Sequence, residues 1–334
     1  MKKIVLLAVL FFAAGLFAFR MYNERRFNLE KRTVFLMDTL VSVYAVGPKQ
    51  KVSAPLELAL KRMREIEAKF SAFDPKSPVY AFNHFGTPIT DKEILSVARA
   101  ALKVSELSDG AFDITTFPLS ELWGFASKSP RVPTDDEIRD VLKSVGYKHL
   151  VLTEGRLEKD APGVVIGFGG IAKGYAVGEA VRVLRENGVA SALVEAGGHV
   201  YALGKRGKNY WKVGIQDPRG EGILGYVEIE DMAVLGSGDY ERFFIDKGKR
   251  YSHIFDPRTG HPAQGASAVT IIYNDPMLAD ALAKVPFVLG LEKSRDIIGS
   301  IPGMEAIMVA AEGEVTYSPG LKDRLKLLPD TEQR

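Results

Sequence analysis

The order of helical and strand patterns along the chain restricts its fold more than any other feature of the sequence. Helical periodicity and helix start and stop signals predict five helices, over 53–70, 90–107, 134–146, 171–188 and 276–289. Short strand-like segments bounded by turn residues lie at 34–46, 150–153, 192–195, 212–215, 226–229, 268–273 and 306–309. Because the two kinds of segment alternate irregularly, the even βαβ rhythm of a nucleotide-binding parallel sheet is missing. The sequence therefore predicts an α+β fold with an antiparallel sheet and flanking helices.

Three of these helices carry particularly clear local signals. In the first, apolar residues recur at helical spacing from Leu56 to Phe70, and Pro55 is placed in the first turn. Thr90 and Thr134 are each followed three residues later by a glutamate, which is the pattern of a capping box.

Composition and charge exclude several classes of protein. A hydrophobic content of 46% in 334 residues can fill a substantial core, so wholesale disorder is excluded. The 44 basic and 42 acidic residues nearly balance, which argues against a nucleic-acid binder. The chain has no cysteine, so disulfides, thiol nucleophiles, iron–sulfur clusters and an N-terminal lipid-modified cysteine are ruled out.

The N-terminus has the pattern of a targeting segment. Lys2 and Lys3 precede an uncharged apolar run over residues 4–19, which Arg20 ends. The run is close to the shortest length that spans a bilayer as a helix, and the small residues at 13–15 could form a cleavage site. A positive-inside count would leave the body of the chain in the cytoplasm, but the lysine start and short apolar core favour export. We expect residues 1–20 to be a signal peptide or an uncleaved inner-membrane anchor, and we favour the anchor. The body of the chain would then lie on the periplasmic or extracytoplasmic face. A linker over 21–32 and one domain over 33–330 would follow.

Three stretches could carry chemistry, and each also has a structural interpretation. The glycine-rich segment over 167–174 leads into the fourth helix and contains Lys173, and it could bind a phosphate or simply form a tight strand-to-helix turn. His253 could be a general base, a phosphate contact or a structural histidine. Asp280 lies on a mostly apolar helix, where it needs a partner. That partner could be Lys284, four residues later, or a Mg²⁺ ion.

Taken in order, these motifs resemble the ApbE-type flavin transferases, the FAD:protein FMN transferase family. The resemblance runs from about Val34 to the last predicted strand. It depends on eight segments: Met37-Asp38-Thr39, Phe70-Ser71-Ala72-Phe73, Gly110-Ala111-Phe112-Asp113-Ile114-Thr115, Leu122-Trp123-Gly124-Phe125, Gly169-Gly170-Ile171-Ala172-Lys173-Gly174-Tyr175, Ser237-Gly238-Asp239-Tyr240-Glu241, His253-Ile254-Phe255-Asp256-Pro257-Arg258-Thr259-Gly260 and Asp280-Ala281.

The resemblance implies a T-fold-related structure, with FAD in a cleft and Mg²⁺ as a second cofactor. It implies transfer of FMN from FAD to a Thr or Ser hydroxyl of an acceptor flavoprotein, with release of AMP. His253 would be catalytic, and the metal would lie near Gly170 and Asp280. The FAD site would be lined by Met37, Phe73, Ala111, Phe112, Asp113, Lys173 and Ile254.

The sequence departs from the family pattern at several of these positions. Gly167-Phe168, Gly178 and His199 stand where the family usually has an aspartate, and Gly236 replaces a threonine. Lys284 replaces the threonine that usually follows the metal-binding aspartate as a ligand. An ammonium group beside Asp280 could take the metal's place, and it would repel Mg²⁺ by several kcal/mol in a site of low dielectric constant.

These departures leave three functional hypotheses. The chain could be an active, Mg²⁺-dependent FMN transferase with a modified metal site. It could be a relative that binds FAD but has lost or weakened transfer. It could instead be a membrane-tethered interaction protein without catalysis, although the persistence of Lys173, His253 and the 111–113 motif argues against this.

Overall fold

A computed structural model describes residues 28–127 and 129–328. The predicted targeting segment, residues 1–20, lies outside the described residues, as does most of the predicted linker. The remainder of that linker needs a correction, because the first strand begins at Leu29 and pairs along its whole length with the next strand. Within the described part of the chain, no helix combines the length and apolarity needed to cross a membrane.

The described residues form nine α-helices of very different length. Their bounds are α1 (Lys49–Phe70), α2 (Pro78–Phe85), α3 (Lys92–Leu107), α4 (Phe117–Leu122), α5 (Asp135–Leu142), α6 (Ala172–Glu186), α7 (Pro276–Leu282), α8 (Val285–Leu289) and α9 (Leu291–Gly299). Single 3₁₀ turns cover Tyr147–His149 and Pro319–Leu321.

The strands form one large antiparallel sheet and three small ones. The bounds are β1 (Leu29–Leu36), β2 (Thr39–Val46), β3 (Leu150–Leu152), β4 (Leu157–Lys159), β5 (Ala192–Ala196), β6 (His199–Leu203), β7 (Trp211–Gln216), β8 (Ile223–Ile229), β9 (Met232–Gly238), β10 (Phe243–Asp246), β11 (Lys249–Ser252), β12 (Ala268–Tyr273), β13 (Glu305–Val309), β14 (Val315–Tyr317) and β15 (Leu325–Leu327). The large sheet has the order β1-β2-β5-β6-β9-β12-β13-β14, and every pairing in it is antiparallel. The antiparallel α+β prediction is therefore confirmed.

The large sheet is buried on both faces at its centre, which explains why β6 has no exposed residue. One face packs against α1, α6, α7 and α9, with α3 packed on α7 behind them, and His199 and Tyr201 of β6 point to that side. The opposite face, with Val200 and Ala202, packs against the small sheet of order β15-β8-β7. Alternate residues of β6 thus pack into two different hydrophobic cores, one on each face of the large sheet.

Local helix signals were confirmed in some places and wrong in others. Thr134 caps α5 in a full capping box with Glu137, as predicted. Thr90 does not cap α3, because Asp91 takes that position and its carboxylate accepts from two backbone N–H groups. The first helix begins at Lys49 instead of residue 53, so Pro55 lies inside it.

Two predicted elements are divided in the structure. The segment 34–46 is part of a hairpin, because Met37 and Asp38 turn the chain with φ angles of 53° and 59°. The predicted helix over 276–289 is split into α7 and α8, with Lys284 between them. Pro286 at the start of α8 has no N–H to continue the hydrogen bonding of α7, which accounts for the break.

A charged network ties three helices together beside the site. Arg62 of α1 contacts Glu93 of α3 and donates to Glu179 of α6 at 2.7 Å, while Lys69 donates to Glu93 at 2.6 Å. The Tyr175 hydroxyl of α6 donates to the same Glu93 carboxylate at 2.7 Å. This network fixes the position of α6, which carries the candidate phosphate-binding motif at its N-terminus.

Candidate active site

The glycine-rich segment forms a tight turn that leads directly into α6. The N–H of Gly167 donates to the carbonyl of Ile114 at 2.8 Å. A Cβ atom on Gly167 would lie 2.9 Å from the Phe117 ring, and one on Gly170 would lie 3.0 Å from the Phe112 ring. The turn is thus packed against the 111–117 segment, so both of these sequence motifs belong to one site.

The 111–113 motif is buried and rigidly held. Ala111, Phe112 and Asp113 are each less than 8% exposed. One Asp113 carboxylate oxygen accepts from both the N–H and the hydroxyl of Thr115 at 2.7 Å, and the other accepts from the N–H of Tyr147 at 2.6 Å. Burial raises the pKa of Asp113 in spite of these bonds. Its carboxylate therefore organises the loop around Phe112, and its contact with FAD stays a prediction.

Two further predicted FAD contacts lie at turns. Met37 occupies the β1–β2 turn, where its N–H donates to a Glu67 carboxylate oxygen at 2.5 Å. Phe73 is 63% exposed, and its ring meets that of Phe117 edge to face, with centroids 5.4 Å apart. Because Phe117 also packs on Gly167, the exposed Phe73 ring stands beside the glycine-rich turn. It offers an uncovered aromatic surface there.

His253 follows β11 and is oriented by a backbone contact. Its Nδ1 lies 3.2 Å from the carbonyl oxygen of Arg242, which can only accept a hydrogen bond. Nδ1 therefore carries the proton in the neutral ring, and Nε2 is left as the basic nitrogen. Burial and then the positive charge of Arg242 lower the pKa of His253 to about 3, so the ring is neutral near pH 7.

An aromatic cluster supports the His253 segment. Phe125 lies with its ring centroid 6.4 Å from that of His253 and 5.9 Å from that of Phe255. Ile254, between the two, is 7% exposed and belongs to the main core. The Trp123 indole N–H donates to the carbonyl of Gly260 at 2.9 Å, which ties the two predicted motifs together.

Three residues, Gly174, His199 and Lys284, surround the fully buried carboxylate of Asp280, and we call these four residues the Asp280 cluster. The N–H of Gly174 donates to Asp280 Oδ2 at 2.8 Å. His199 Nε2 lies 2.9 Å from Asp280 Oδ1, which also pairs with the Lys284 ammonium. Of the two partners considered for Asp280, Lys284 and Mg²⁺, the structure has Lys284, in an ion pair.

Gly174 allows α6 and α7 to approach closely. A Cβ atom at this position would lie 2.1 Å from the carbonyl oxygen of Pro276 and 2.6 Å from Cβ of Asp280. Neither atom can move without moving the α7 backbone. The last glycine of the glycine-rich motif is therefore required for helix packing, and the hydrogen bond to Asp280 depends on the same close approach.

Burial and neighbouring charges shift the pKa values of the ionisable groups in and beside this cluster. Burial alone would raise the pKa of Asp280, but Lys284 and His199 outweigh it and hold this pKa well below its ordinary value. Burial lowers the pKa of His199, so the ring is neutral and its Nε2–H donates to Asp280. Burial also lowers the pKa of Lys173, although Asp280 and Glu241 oppose that shift. Within residues 28–127 and 129–328, no carboxylate lies within 4 Å of the Lys173 ammonium.

The residues present do not fit the predicted Mg²⁺ site. Mg²⁺ needs near-octahedral coordination by oxygen atoms at about 2.0–2.1 Å. The Asp280 carboxylate already accepts from three donors, one of them an ammonium group. In the described part of the chain, no group of three or more His, Asp or Glu residues could hold a metal ion. Gly170 and Asp280 therefore lack the further oxygen ligands that a divalent cation would require.

His199 is the site residue that sequence reasoning missed. It appeared only as a departure from the family pattern, whereas the structure places it on the Asp280 carboxylate, 81 residues away in sequence. The sequence did contain a signal, since His199 and Lys284 both replace family residues. Their common contact with one carboxylate shows that the two departures belong together.

Comparison with known proteins agrees with this site. A model of the ApbE family matches residues 37–308, which include every candidate site residue. This chain belongs to the ApbE family. The assignment confirms the resemblance found in the sequence motifs.

Curated relatives in the ApbE family are similar along most of their length. An FAD:protein FMN transferase of Treponema pallidum (strain Nichols) is 33% identical over 311 residues, covering 86% of each chain. An FAD:protein FMN transferase of Salmonella typhimurium is 31% identical over 298 residues, covering 83% of each chain.

Solved ApbE structures share the fold. The ApbE protein of Thermotoga maritima is 37% identical with a TM-score of 0.83, and the match covers 90% of this chain and 100% of that one. The flavin transferase ApbE of Vibrio cholerae is 26% identical with a TM-score of 0.81, over 90% of this chain and 100% of that one. The α+β architecture described above is therefore the ApbE architecture.

Proposed function

We propose that this chain is an FAD:protein FMN transferase, which moves FMN from FAD to a Thr or Ser hydroxyl of an acceptor flavoprotein and releases AMP. The observation that carries the proposal is the match to the ApbE family over residues 37–308. Relatives with that activity in their names are similar over more than four-fifths of the chain. The geometry of Lys173, His253 and the Phe73 ring supports the same conclusion.

The transfer breaks the phosphoanhydride bond between the two phosphates of FAD and forms a phosphate ester bond to the acceptor hydroxyl. The acceptor hydroxyl oxygen attacks the phosphorus atom of the FMN half, and the bond from that phosphorus to the bridging oxygen of AMP breaks. Negative charge on the diphosphate increases during this displacement, so fixed cations beside it lower the barrier. In this proposal, Lys173, in the first turn of α6, supplies one of these cations.

In this proposal, His253 accepts the proton of the acceptor hydroxyl. Its Nδ1–H is held by the Arg242 carbonyl, so the ring presents Nε2 as the base. A pKa of about 3 makes it a weak base in the free protein. The negative charge of a bound diphosphate would raise this pKa, so His253 would become more basic once FAD is bound.

A cavity beside His253 offers a route for the acceptor. It has a volume of about 250 Å³ and is lined by Gly124, Phe125, Pro130, Glu241, Arg242 and Phe243. Phe125 contacts the His253 ring, and Arg242 provides its backbone partner. An acceptor side chain entering here would therefore approach the His253 ring.

Transfer can be tested with a Thr-bearing peptide from a flavoprotein acceptor, FAD and the full chain. We expect the peptide to gain the mass of FMN less one water, together with an equal amount of AMP. The His253→Ala variant should lose at least about 100-fold in rate, as is typical for loss of a general base, while still binding FAD. His84→Ala is the matched control, since His84 is exposed on α2, and it should transfer at the wild-type rate.

The second candidate function is FAD binding without transfer, and the Lys284 contact with Asp280 favours it. It predicts a yellow protein that holds FAD but labels no acceptor under any condition. Unlabelled peptide with bound FAD would therefore overturn the transferase proposal. Absence of both labelling and FAD binding would overturn both candidates.

We further propose that the protein acts at the extracytoplasmic face of the inner membrane. This is supported by Lys2, Lys3 and the apolar run over residues 4–19. Protease added outside spheroplasts should digest the body of the chain, and removal of residues 1–20 should leave it in the cytoplasm. Protection of the full chain from external protease would contradict the proposal.

A further inference from the structure

We propose that the Lys284 ammonium is a built-in cation of the FAD site, and that this chain binds the FAD diphosphate without a divalent metal ion. The inference rests on the proposed function, because it names the group that would neutralise the diphosphate. It follows from the contacts of the Asp280 cluster, the charges around it and the geometry of the lysine side chain.

The contacts of Asp280 leave it a poor ligand for a metal ion. It is 0% exposed, and it accepts hydrogen bonds from Gly174, His199 and Lys284. A divalent ion at this carboxylate would have to displace the ammonium group and share Oδ1 with His199 Nε2–H. Within the described ranges, no second carboxylate joins Asp280 to form a cation cage.

The Lys284 side chain retains one donor after its contacts with Asp280. An ammonium group has three N–H donors. One donates to Asp280 Oδ1 and another to the Asp280 main-chain carbonyl, at 2.8 Å. The side chain is still 17% exposed, so the third N–H can reach a ligand. The ammonium group also lies at the C-terminal end of α7, where a positive charge is favoured.

The charges around the cluster add up to a site for an anion. Lys284 and Asp280 cancel each other, and His199 is neutral. Lys173 is close enough to sense both Asp280 and Lys284, and it has no ion pair of its own among the described residues. Arg242 and Glu241 add one charge of each sign. The sum is one positive charge, that of Lys173, and Lys284 contributes an N–H donor beside it and no further net charge; both suit a diphosphate.

The two sources of positive charge predict different binding behaviour. A site that depends on Mg²⁺ binds FAD weakly in a chelator and tightens when the metal ion is restored. A site that depends on Lys284 binds FAD equally well in both conditions, and it loses affinity when the ammonium group is removed. A charge-assisted hydrogen bond to phosphate corresponds to at least about a tenfold change in Kd.

FAD binding by the full chain should be measured by flavin fluorescence in EDTA and then in excess Mg²⁺. We expect the wild-type Kd to agree within twofold between the two conditions. Lys284→Met should raise Kd about tenfold or more, and Lys284→Arg should recover most of the affinity. Lys293→Met, which removes an exposed lysine of α9, should leave Kd unchanged. Mn²⁺ added alone should keep its free electron paramagnetic resonance signal with the wild-type protein.

Two results would overturn the inference: tightening of wild-type FAD binding by more than tenfold in Mg²⁺, or wild-type affinity in a folded Lys284→Met variant. The wild-type titration decides the question even if the variants do not fold. Binding is measured separately from transfer, so a protein that binds FAD in EDTA but labels no acceptor would refute the proposed function and leave this inference standing.

Discussion

Replacing Gly174 by alanine should destabilise the protein, although alanine is the better helix former. The new Cβ atom would lie 2.1 Å from the Pro276 carbonyl oxygen and 2.6 Å from Cβ of Asp280. Only a displacement of α7 can relieve these two close contacts. That displacement would also stretch the 2.8 Å hydrogen bond from the Gly174 N–H to the Asp280 carboxylate.

The magnitude follows from three contributions. Overpacking of this kind costs about 1–3 kcal/mol. Loss of a hydrogen bond to a charged acceptor costs about 1.5–3 kcal/mol. Alanine returns about 1 kcal/mol through its helix propensity. The net expectation is a loss of about 1.5–5 kcal/mol in the free energy of unfolding, a large part of the stability of an ordinary domain.

Urea denaturation followed by fluorescence of the two buried tryptophans, Trp123 and Trp211, measures this loss. Gly299→Ala is the matched control, because Gly299 ends α9 and a Cβ atom there meets nothing within 4 Å. The control should be neutral or stabilise by up to about 1 kcal/mol. If Gly174→Ala were as stable as wild type, the close approach of α6 and α7 would not constrain this position, and our reasoning would be refuted.

Three further changes test other parts of the structure. Glu93→Gln should cost about 2 kcal/mol at pH 7. Burial alone would raise the pKa of Glu93, but its cationic partners and a tyrosine hydroxyl outweigh burial and lower this pKa. The stabilisation by the ionised carboxylate is therefore lost as pH falls through the folded pKa. In denaturation curves, the stability difference between wild type and the variant should shrink below about pH 4 and stay unchanged at pH 9. Asn83→Ala should cost about 2–6 kcal/mol by the same measurement, because its amide makes two 2.9 Å hydrogen bonds to the backbone of Ile166; unchanged stability would contradict this. Trp123→Phe should cost about 1–3 kcal/mol by leaving the buried Gly260 carbonyl without its donor, and an unchanged midpoint would argue against that bond.

The sequence predicted those parts of the fold that local interactions decide. Thr134 and Glu137 form their capping box from residues three apart, and the structure has it. The strand β9 was missed, because Gly236, Ser237 and Gly238 have little strand preference. They are extended because β6 and β12 pair on either side of them, which is a tertiary effect.

In the candidate site, too, contacts between residues close in sequence could be predicted, whereas contacts between distant segments could not. The pair of Asp280 and Lys284 lies one helical turn apart and could be predicted from spacing. The contact of His199 with Asp280 depends on β6 facing α7 across the core, which no local pattern encodes. Gly174 belonged to a motif that could be a phosphate site or a tight strand-to-helix turn, but its close contact with Pro276 became visible only when two distant helices were placed together.

The order of strands in the large sheet also has a consequence for the kinetics of folding. β2 ends at Val46 and pairs with β5, which begins at Ala192, so a loop of roughly 150 residues must close before the centre of the sheet can form. Closing it costs about 2.4 kcal/mol more entropy than closing a ten-residue loop. Folding should therefore be slow for a domain of this size, with helices forming early and the sheet late. Asp280 and Lys284 lie one helical turn apart and can pair locally, but the contact with His199 and the burial of the pair require β6 in the sheet, so until then both charged groups remain hydrated.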